Sequence, residues 1–299
     1  MNASLVAASV RMPPWPICRP GSRCLRARAL VLAALCAWAP VGTAVDLPAP
    51  EQLARESGLA PESLAVIEPH ESDVHHEVAV SYTGFPLAPL LDRWFGNRWS
   101  APAAEVLFVA RDGYRSAIPA EALRKERTFL AYARSDGAAF AVDNPEQNQT
   151  AVPLGPYYLV WDNRAAPDRL ARGTHGWAYQ VVAVEVRSGQ DDRALLPRES
   201  GPDVEEGFAD TKKYCLGCHA VRGVGGRKYP LDLAVAACRW DDPALKGWLR
   251  EPSAMRPGTT MPALNRNLPA PERERAIGRI VVYLRAIGRE ATACVRASP

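Results

Sequence analysis

The stretch Cys215-Leu216-Gly217-Cys218-His219 says more about this chain than any other five residues. Two thiols three positions apart lie on one helical turn, so each can add to one vinyl group of a haem, and the adjacent imidazole can bind the iron. We therefore expect one covalently attached haem c, with Cys215 and Cys218 as attachment points and His219 as the first axial iron ligand. Two other interpretations remain: a redox-active thiol pair, or half of a zinc site whose other ligands lie elsewhere.

A methionine is the expected second axial ligand. The chain has four methionines, of which Met1 and Met12 fall in the N-terminal leader, whereas Met255 and Met261 lie in the segment 252–264. A thioether is a common sixth ligand of electron-transfer haems and raises the reduction potential. Met261 is favoured because a proline follows it in a turn-rich segment that can hold the ligand rigidly. Met255 is the alternative.

The residues on both sides of the motif occur in a familiar order. A Gly-Phe pair precedes the motif, three glycines and a proline follow it, and a predicted middle helix with a tryptophan leads to an apolar last helix. The residues concerned are Gly207, Phe208, Gly223, Gly225, Gly226, Pro230, Asp242, Pro243, Trp248, Ile277, Ile280, Val281, Leu284, Ile287 and Gly288. From about residue 204 to 290 the chain therefore resembles a class I cytochrome c.

This resemblance implies an all-α cytochrome c fold for residues 204–299 and two further contacts at the haem. The carbonyl of Pro230 would accept a hydrogen bond from the imidazole of His219 and so fix its tautomer. Trp248 would border the haem, although an ordinary core tryptophan is the alternative.

Capping rules predict where the last two helices begin and end. Asp242 and Pro243 are expected to be the N-cap and the first residue of the middle helix. The final helix carries apolar residues at three- and four-residue steps from Ile277 onward, and Gly288 is expected to end it.

Cysteine spacing predicts one disulfide. Of seven cysteines, three fall in the leader and two in the haem motif, which leaves Cys238 and Cys294. In an oxidising compartment such a pair usually forms a bridge. Two unrelated buried thiols are the alternative.

The first 44 residues resemble a secretory signal peptide. They contain five arginines and no acidic residue, then an apolar run over residues 29–38 and a Gly-Thr-Ala ending at Ala44. We expect cleavage after Ala44 and a periplasmic protein with no stable membrane span. An uncleaved anchor, and a start at Met12 rather than Met1, remain alternatives.

Residues 45–186 form a second predicted domain of α+β type. Three stretches, 83–87, 109–114 and 155–160, resemble the molybdopterin-binding fold of sulfite-oxidase-like proteins. Those enzymes bind molybdenum through a cysteine thiolate, and no cysteine occurs between Cys36 and Cys215. Molybdopterin is therefore not expected, and the domain would serve docking or small-molecule binding.

Alternating and apolar runs predict the elements of this domain. Helices are expected at 50–57 and 86–95, with a helical turn after Pro119, and strands at 77–82, 105–110, 129–133, 157–162 and 177–186. The adjacent His75 and His76 are expected at the surface, and Asp112-Gly113-Tyr114 in a turn. Residues 187–203 are rich in glycine, serine, proline and charge, which predicts a linker. The expected fold class is thus two domains, an N-terminal α+β sulfite-oxidase-like domain and a C-terminal all-α cytochrome c domain.

The two halves of the chain differ in net charge. From Glu205 onward there are 16 basic and 10 acidic residues, whereas residues 45–204 contain 15 basic and 23 acidic residues. Basic residues cluster around the motif: Lys212, Lys213, Arg222, Arg227 and Lys228. They could steer an acidic redox partner, lie in solvent, or dock on the acidic half of the same chain. Nothing in the sequence indicates nucleic-acid binding.

Together these patterns predict a periplasmic mono-haem c-type cytochrome. It would transfer single electrons between a dehydrogenase and a downstream acceptor, as a carrier rather than an enzyme. A cytochrome-fused molybdenum oxidoreductase of the sulfite dehydrogenase type and a haem-based redox or ligand sensor are the alternatives.

Overall fold

The structure, a computed structural model, describes residues 44–290, so Cys294 and all of the predicted signal peptide except Ala44 lie outside it. Strands prevail before residue 190 and helices after it. The strands are β1 (Ala44–Asp46), β2 (Glu62–Ile67), β3 (Ala79–Pro86), β4 (Ala104–Ala110), β5 (Arg115–Pro119), β6 (Thr128–Arg134), β7 (Ala141–Asn144), β8 (Gln149–Pro153), β9 (Tyr158–Trp161), β10 (Val181–Ser188), β11 (Ala220–Val221) and β12 (Val224–Gly225). The helices are α1 (Pro50–Ser57), α2 (Leu87–Phe95), α3 (Ala120–Lys125), α4 (Arg169–Arg172), α5 (Pro202–Tyr214), α6 (Leu233–Ala236), α7 (Asp242–Arg250), α8 (Pro252–Met255) and α9 (Ala270–Glu290).

Two four-stranded antiparallel sheets form the first part of the chain. Their strand orders are β1-β10-β4-β5 and β2-β3-β6-β9, and β7-β8 and β11-β12 are two-stranded. Strand β4 is apolar apart from Glu105 and is buried along nearly its whole length. At the irregular pairing of β3 with β6, a side chain on Gly84 would meet the carbonyl oxygen of Leu130 at 2.5 Å. Only glycine therefore lets these two strands approach each other there.

Helices α5 and α9 form the second apolar core. The buried face of α9 includes Ile277, Ile280 and Ile287 at helical spacing. Gly207 of α5 lies against α9 so closely that an added Cβ would sit 2.1 Å from the carbonyl oxygen of Arg279. This contact fixes where α5 packs against α9. The cysteine motif follows the end of α5 directly.

The predicted fold class is wrong. The described residues form one compact mixed α/β unit with antiparallel sheets, and its C-terminal part is not a separate all-α cytochrome domain. Strands β11 and β12 follow the cysteine motif directly. Between residues 187 and 203 the chain ends strand β10 and forms a 3-10 helix, Gly189–Leu195, in which Asp192 and Leu195 are buried.

Backbone hydrogen bonds also join the two halves: the N–H of Arg115 donates to the carbonyl of Gly217, and the N–H of Arg227 donates to the carbonyl of Gly113. The sequence pattern misses these contacts because they form between segments far apart in the chain.

Several predicted elements agree with the structure and others do not. Helix α1 has the predicted bounds, and α2 and β4 start within one residue of them. Strands β2, β5, β7 and β8 were not predicted. The N-cap of α7 is Asp241, whose side chain accepts from the N–H of Ala244, so the prediction of Asp242 is wrong by one residue. Helix α9 continues past Gly288 to Glu290, because that glycine is buried within the helix rather than placed after it.

Within residues 44–290, no helix combines the length and the apolar character that crossing a bilayer requires.

Candidate functional site

The cysteine motif lies at the end of α5, on one helical turn. The N–H of Cys215 bonds to Thr211 at 2.8 Å, and the N–H groups of Cys218 and His219 bond to the carbonyl of Cys215 at 3.1 and 3.0 Å. Both cysteines are free thiols. The predicted turn is thus present, with two thiols held in a fixed relation.

Both thiols line a cleft that Met261 also lines. Met261 is half-buried and packs against the second core, whereas 43% of Met255 is exposed at the end of α8. Met255 is not part of the cleft wall. Of the two candidate ligands, only Met261 shares a cleft with the cysteines.

The sulfur of Met261 accepts a hydrogen bond from the indole Nε1 of Trp248 at 2.8 Å. Trp248 itself stacks on Trp240, with ring centroids 5.7 Å apart. Trp248 therefore contacts the predicted ligand Met261 but does not itself line the cleft.

His219 is half-buried beside the ring of Tyr229, with 5.4 Å between ring centroids. Its Nδ1 is buried and has no hydrogen-bond partner among the described residues. Burial lowers the pKa of His219, and the backbone of Leu231 partly offsets this. The predicted bond to the carbonyl of Pro230 is not formed, and Pro230 is exposed. His219 does not belong to the cleft wall.

Tyr229 connects the two segments that carry the predicted axial ligands. Its ring lies next to His219, and its hydroxyl shares a 2.5 Å hydrogen bond with Thr260, the residue before Met261. Sequence analysis does not predict this role, because only an aromatic residue close to the motif is visible there.

The turn between β4 and β5 packs against the cysteine motif. Gly113 lies in this turn with φ of +86°, as the predicted Asp112-Gly113-Tyr114 turn requires. The ring of Tyr114 packs on Gly217 so closely that an added Cβ would lie 2.5 Å from the Tyr114 ring. Lys228 forms an ion pair with Asp112 at 2.9 Å. A larger residue at position 217 would therefore push the turn away.

Burial keeps the two thiols protonated. It raises the pKa of Cys215 to about 12 and the pKa of Cys218 to about 11. Redox-active cysteine pairs depend on a lowered thiol pKa, because the thiolate is the nucleophile. The surroundings of Cys215 and Cys218 are thus unlike those of such a pair. Within residues 44–290, no group of three His, Cys, Asp or Glu side chains is placed to hold a metal ion.

The residues present fit a haem bound through both thiols. Two free thiols one helical turn apart and the thioether of Met261 line one cleft, and the buried Nδ1 of His219, outside the cleft lining, lacks a partner among the described residues.

Part of the cleft wall comes from the strand-rich part of the chain. It includes His70, Tyr114 and Tyr179, with Lys228 from the C-terminal part. Behind this wall Glu68 is fully buried, and it accepts hydrogen bonds from Nδ1 of His70 at 2.7 Å and from the hydroxyl of Tyr82 at 2.7 Å. Sequence analysis missed this group, although a Glu-Pro-His stretch directly after an apolar strand was visible.

A buried ion-pair network joins α5 to the first sheet. The ammonium of Lys212 contacts Glu105 at 2.5 Å and Asp192 at 2.6 Å, and Arg187 contacts the same two carboxylates. Lys212 and Lys228, two of the five basic residues near the motif, are therefore paired with carboxylates of the acidic half of the chain.

The remaining predicted residues lie away from the cleft. Cys238 is disulfide-bonded. The pairing with Cys294 stays a prediction. His75 and His76 are exposed, as predicted.

No protein-family model matches this sequence, and a search of curated proteins found no significant match.

Proposed function

We propose that this protein is a mono-haem electron carrier, with haem c attached through Cys215 and Cys218 and the iron bound by His219 and Met261. The observation that carries the proposal is the cleft in which the two free thiols and the thioether of Met261 meet. Bound there, a haem would supply a one-electron redox couple.

The residues around the ligands would hold them in position. Trp248 donates to the sulfur of Met261, which restrains the rotation of this flexible side chain. Tyr229 packs on His219 and bonds to Thr260, so it couples the two ligand-bearing segments. Preorganised ligands reduce the rearrangement that accompanies a change of iron charge, which favours rapid electron transfer.

The expected partners are redox proteins, a dehydrogenase as donor and a downstream acceptor. Because Lys212 and Lys228 are paired inside the molecule, an acidic partner would meet Lys213 and Arg227, which are exposed. Such steering weakens as salt concentration rises.

Export to the periplasm is part of the proposal. It rests on the arginine-rich, apolar leader that precedes Val45 in the sequence. In bacteria, c-type haem is attached on that side of the membrane.

Spectroelectrochemistry of the purified holoprotein tests the carrier function. We expect a single reversible one-electron couple, and a ferrous spectrum that carbon monoxide leaves unchanged because Met261 occupies the sixth position. Rapid binding of carbon monoxide by the wild-type protein would contradict the carrier function and favour a ligand sensor. The matched variant Met261→Ala should bind carbon monoxide, which shows that the assay can detect an open site.

A further inference from the structure

Outside the haem motif, several hydrogen-bond donors surround the buried carboxylate of Glu68. Besides Nδ1 of His70 and the hydroxyl of Tyr82, its carboxylate accepts from the hydroxyl of Tyr158 at 2.9 Å and from the backbone N–H of His70 at 3.1 Å. Burial alone would raise the pKa of Glu68, but the hydrogen bonds from His70 and Tyr82 hold the pKa below the ordinary value. Glu68 is therefore a buried carboxylate that is stabilised as an anion.

This carboxylate fixes the orientation of His70. Because Nδ1 donates to Glu68, the lone pair of the neutral ring is on Nε2. Only 6% of His70 is exposed, and the exposed part lies on the wall of the cleft. Among the described residues, Nε2 has no hydrogen-bond partner. A carboxylate that orients a histidine in this way is typical of histidines that accept a proton from a bound molecule.

The surroundings of His70 indicate what that molecule would be. The ring of Tyr179 meets His70 edge-on with 5.6 Å between centroids, and Tyr114 adds a second aromatic ring to the same wall. Two cations of the cleft lining are engaged in ion pairs, Lys228 with Asp112 and Arg172 with Glu126. Two aromatic rings beside a hydrogen-bond acceptor suit an aromatic molecule with an acidic hydroxyl group.

We propose that this wall binds a small aromatic alcohol, such as a hydroquinone, and that His70 accepts its proton when it reduces the haem. The inference rests on the proposed function, since the electron acceptor is the ferric haem attached to Cys215 and Cys218, which line the same cleft. In the step, the O–H bond breaks, Nε2 of His70 takes the proton, one electron passes to the iron, and a neutral aryloxyl radical remains. Two such radicals disproportionate to one quinone and one hydroquinone, which balances atoms and electrons.

Binding and reduction are measured separately on the ferric holoprotein. Benzene-1,3-diol, which is not readily oxidised to a quinone, serves as the binding probe in equilibrium dialysis, and benzene-1,4-diol serves as the reductant in stopped-flow spectroscopy. His70→Asn keeps an amide donor for Glu68 but removes Nε2. We expect it to bind the probe about tenfold more weakly and to be reduced on the order of 10²-fold more slowly.

Two further variants control for a general effect of substitution on folding. His76→Asn changes an exposed histidine six residues away and should match the wild type in both assays. Tyr179→Leu removes the aromatic face without touching the Glu68 carboxylate, and it should weaken binding while the resting haem spectrum stays unchanged.

Three results would overturn this inference while leaving the haem assignment intact: no binding of the probe by the wild type, equal reduction rates for wild type and His70→Asn, or a changed resting spectrum in His70→Asn. The last result would place His70 on the iron. Absence of covalent haem from the wild-type protein would instead contradict the proposed function itself.

Discussion

Met261 and Met255 differ in what surrounds their sulfur atoms. The sulfur of Met261 faces the indole N–H of Trp248, and the residue lines the cleft with both thiols, whereas Met255 is largely exposed at the end of α8. The proline after Met261 pointed to this residue in the sequence. The hydrogen bond from Trp248 could not be anticipated, because it depends on how α7 packs against the ligand loop.

Replacing the proposed ligand should change the ferric spectrum. Met261→Ala removes the only thioether that the described residues contribute to the cleft wall, so the weak charge-transfer absorption of methionine-bound ferric haem should disappear. Met255→Ala is the matched control and should keep this absorption. The opposite pattern would transfer the ligand role to Met255.

His175 should make stability depend on pH. Burial, followed by the charge of Lys213, lowers the pKa of His175 from 6.5 to about 4. Between these values the unfolded chain binds more protons than the folded protein, so stability is lost as pH falls below 6.5 and the loss is complete near pH 4. The contribution is roughly 1–3 kcal/mol.

Urea unfolding across this pH range checks the contribution of His175. His175→Gln should flatten the slope of unfolding free energy against pH, while His76→Gln, at an exposed position, should not. An unchanged slope in His175→Gln would show that another group causes the pH dependence.

At the scale of elements, α5 is anchored to the first sheet by charge. Lys212 balances Glu105 and Asp192, whose side chains are 8% and 2% exposed. Lys212→Met leaves two buried carboxylates with Arg187 alone, so we expect a loss of roughly 2–4 kcal/mol in the free energy of unfolding. Lys213→Met changes the exposed neighbour and should alter stability by less than about 0.5 kcal/mol. Equal effects of the two substitutions in chemical denaturation would contradict the role of this network.

The predicted bridge from Cys238 to Cys294 should tie the residues after α9 to the 3-10 turn Ala237–Arg239, which follows α6. If the leader is removed, Cys294 is the one remaining cysteine that Cys238 can pair with outside the haem motif. Such a bridge closes a loop of more than 50 residues, and loop entropy gives it about 4 kcal/mol. Thiol labelling of the denatured, unreduced holoprotein should detect no free cysteine, and peptide mapping should recover the linked pair. Two labelled thiols would contradict the bridge.

At the scale of the whole molecule, the local elements could be predicted but their assembly could not. The apolar period of α2 and the apolar residues 106–110 of β4 are local signals, and both elements were predicted close to their observed bounds. The division into two domains was wrong because a polar segment suggested a linker, whereas Asp192 and Leu195 of that segment are buried.

The site divides in the same way. The cysteine motif could be recognised because its five residues are consecutive in the sequence. Met261 could be recognised because a proline follows it in a turn-rich segment. The wall around His70 could not, because Glu68 follows β2 whereas Tyr82 and Tyr158 lie on β3 and β9, and these segments meet only in the folded sheet.

The mass of the denatured polypeptide tests the central claim most directly. Protein produced in cells that attach c-type haem should have the mass of the processed chain plus one haem, because thioether bonds to Cys215 and Cys218 survive unfolding. The variant with both Cys215→Ala and Cys218→Ala should have the mass of its polypeptide alone. A wild-type mass without haem, measured in cells that attach haem to a control cytochrome, would contradict the account.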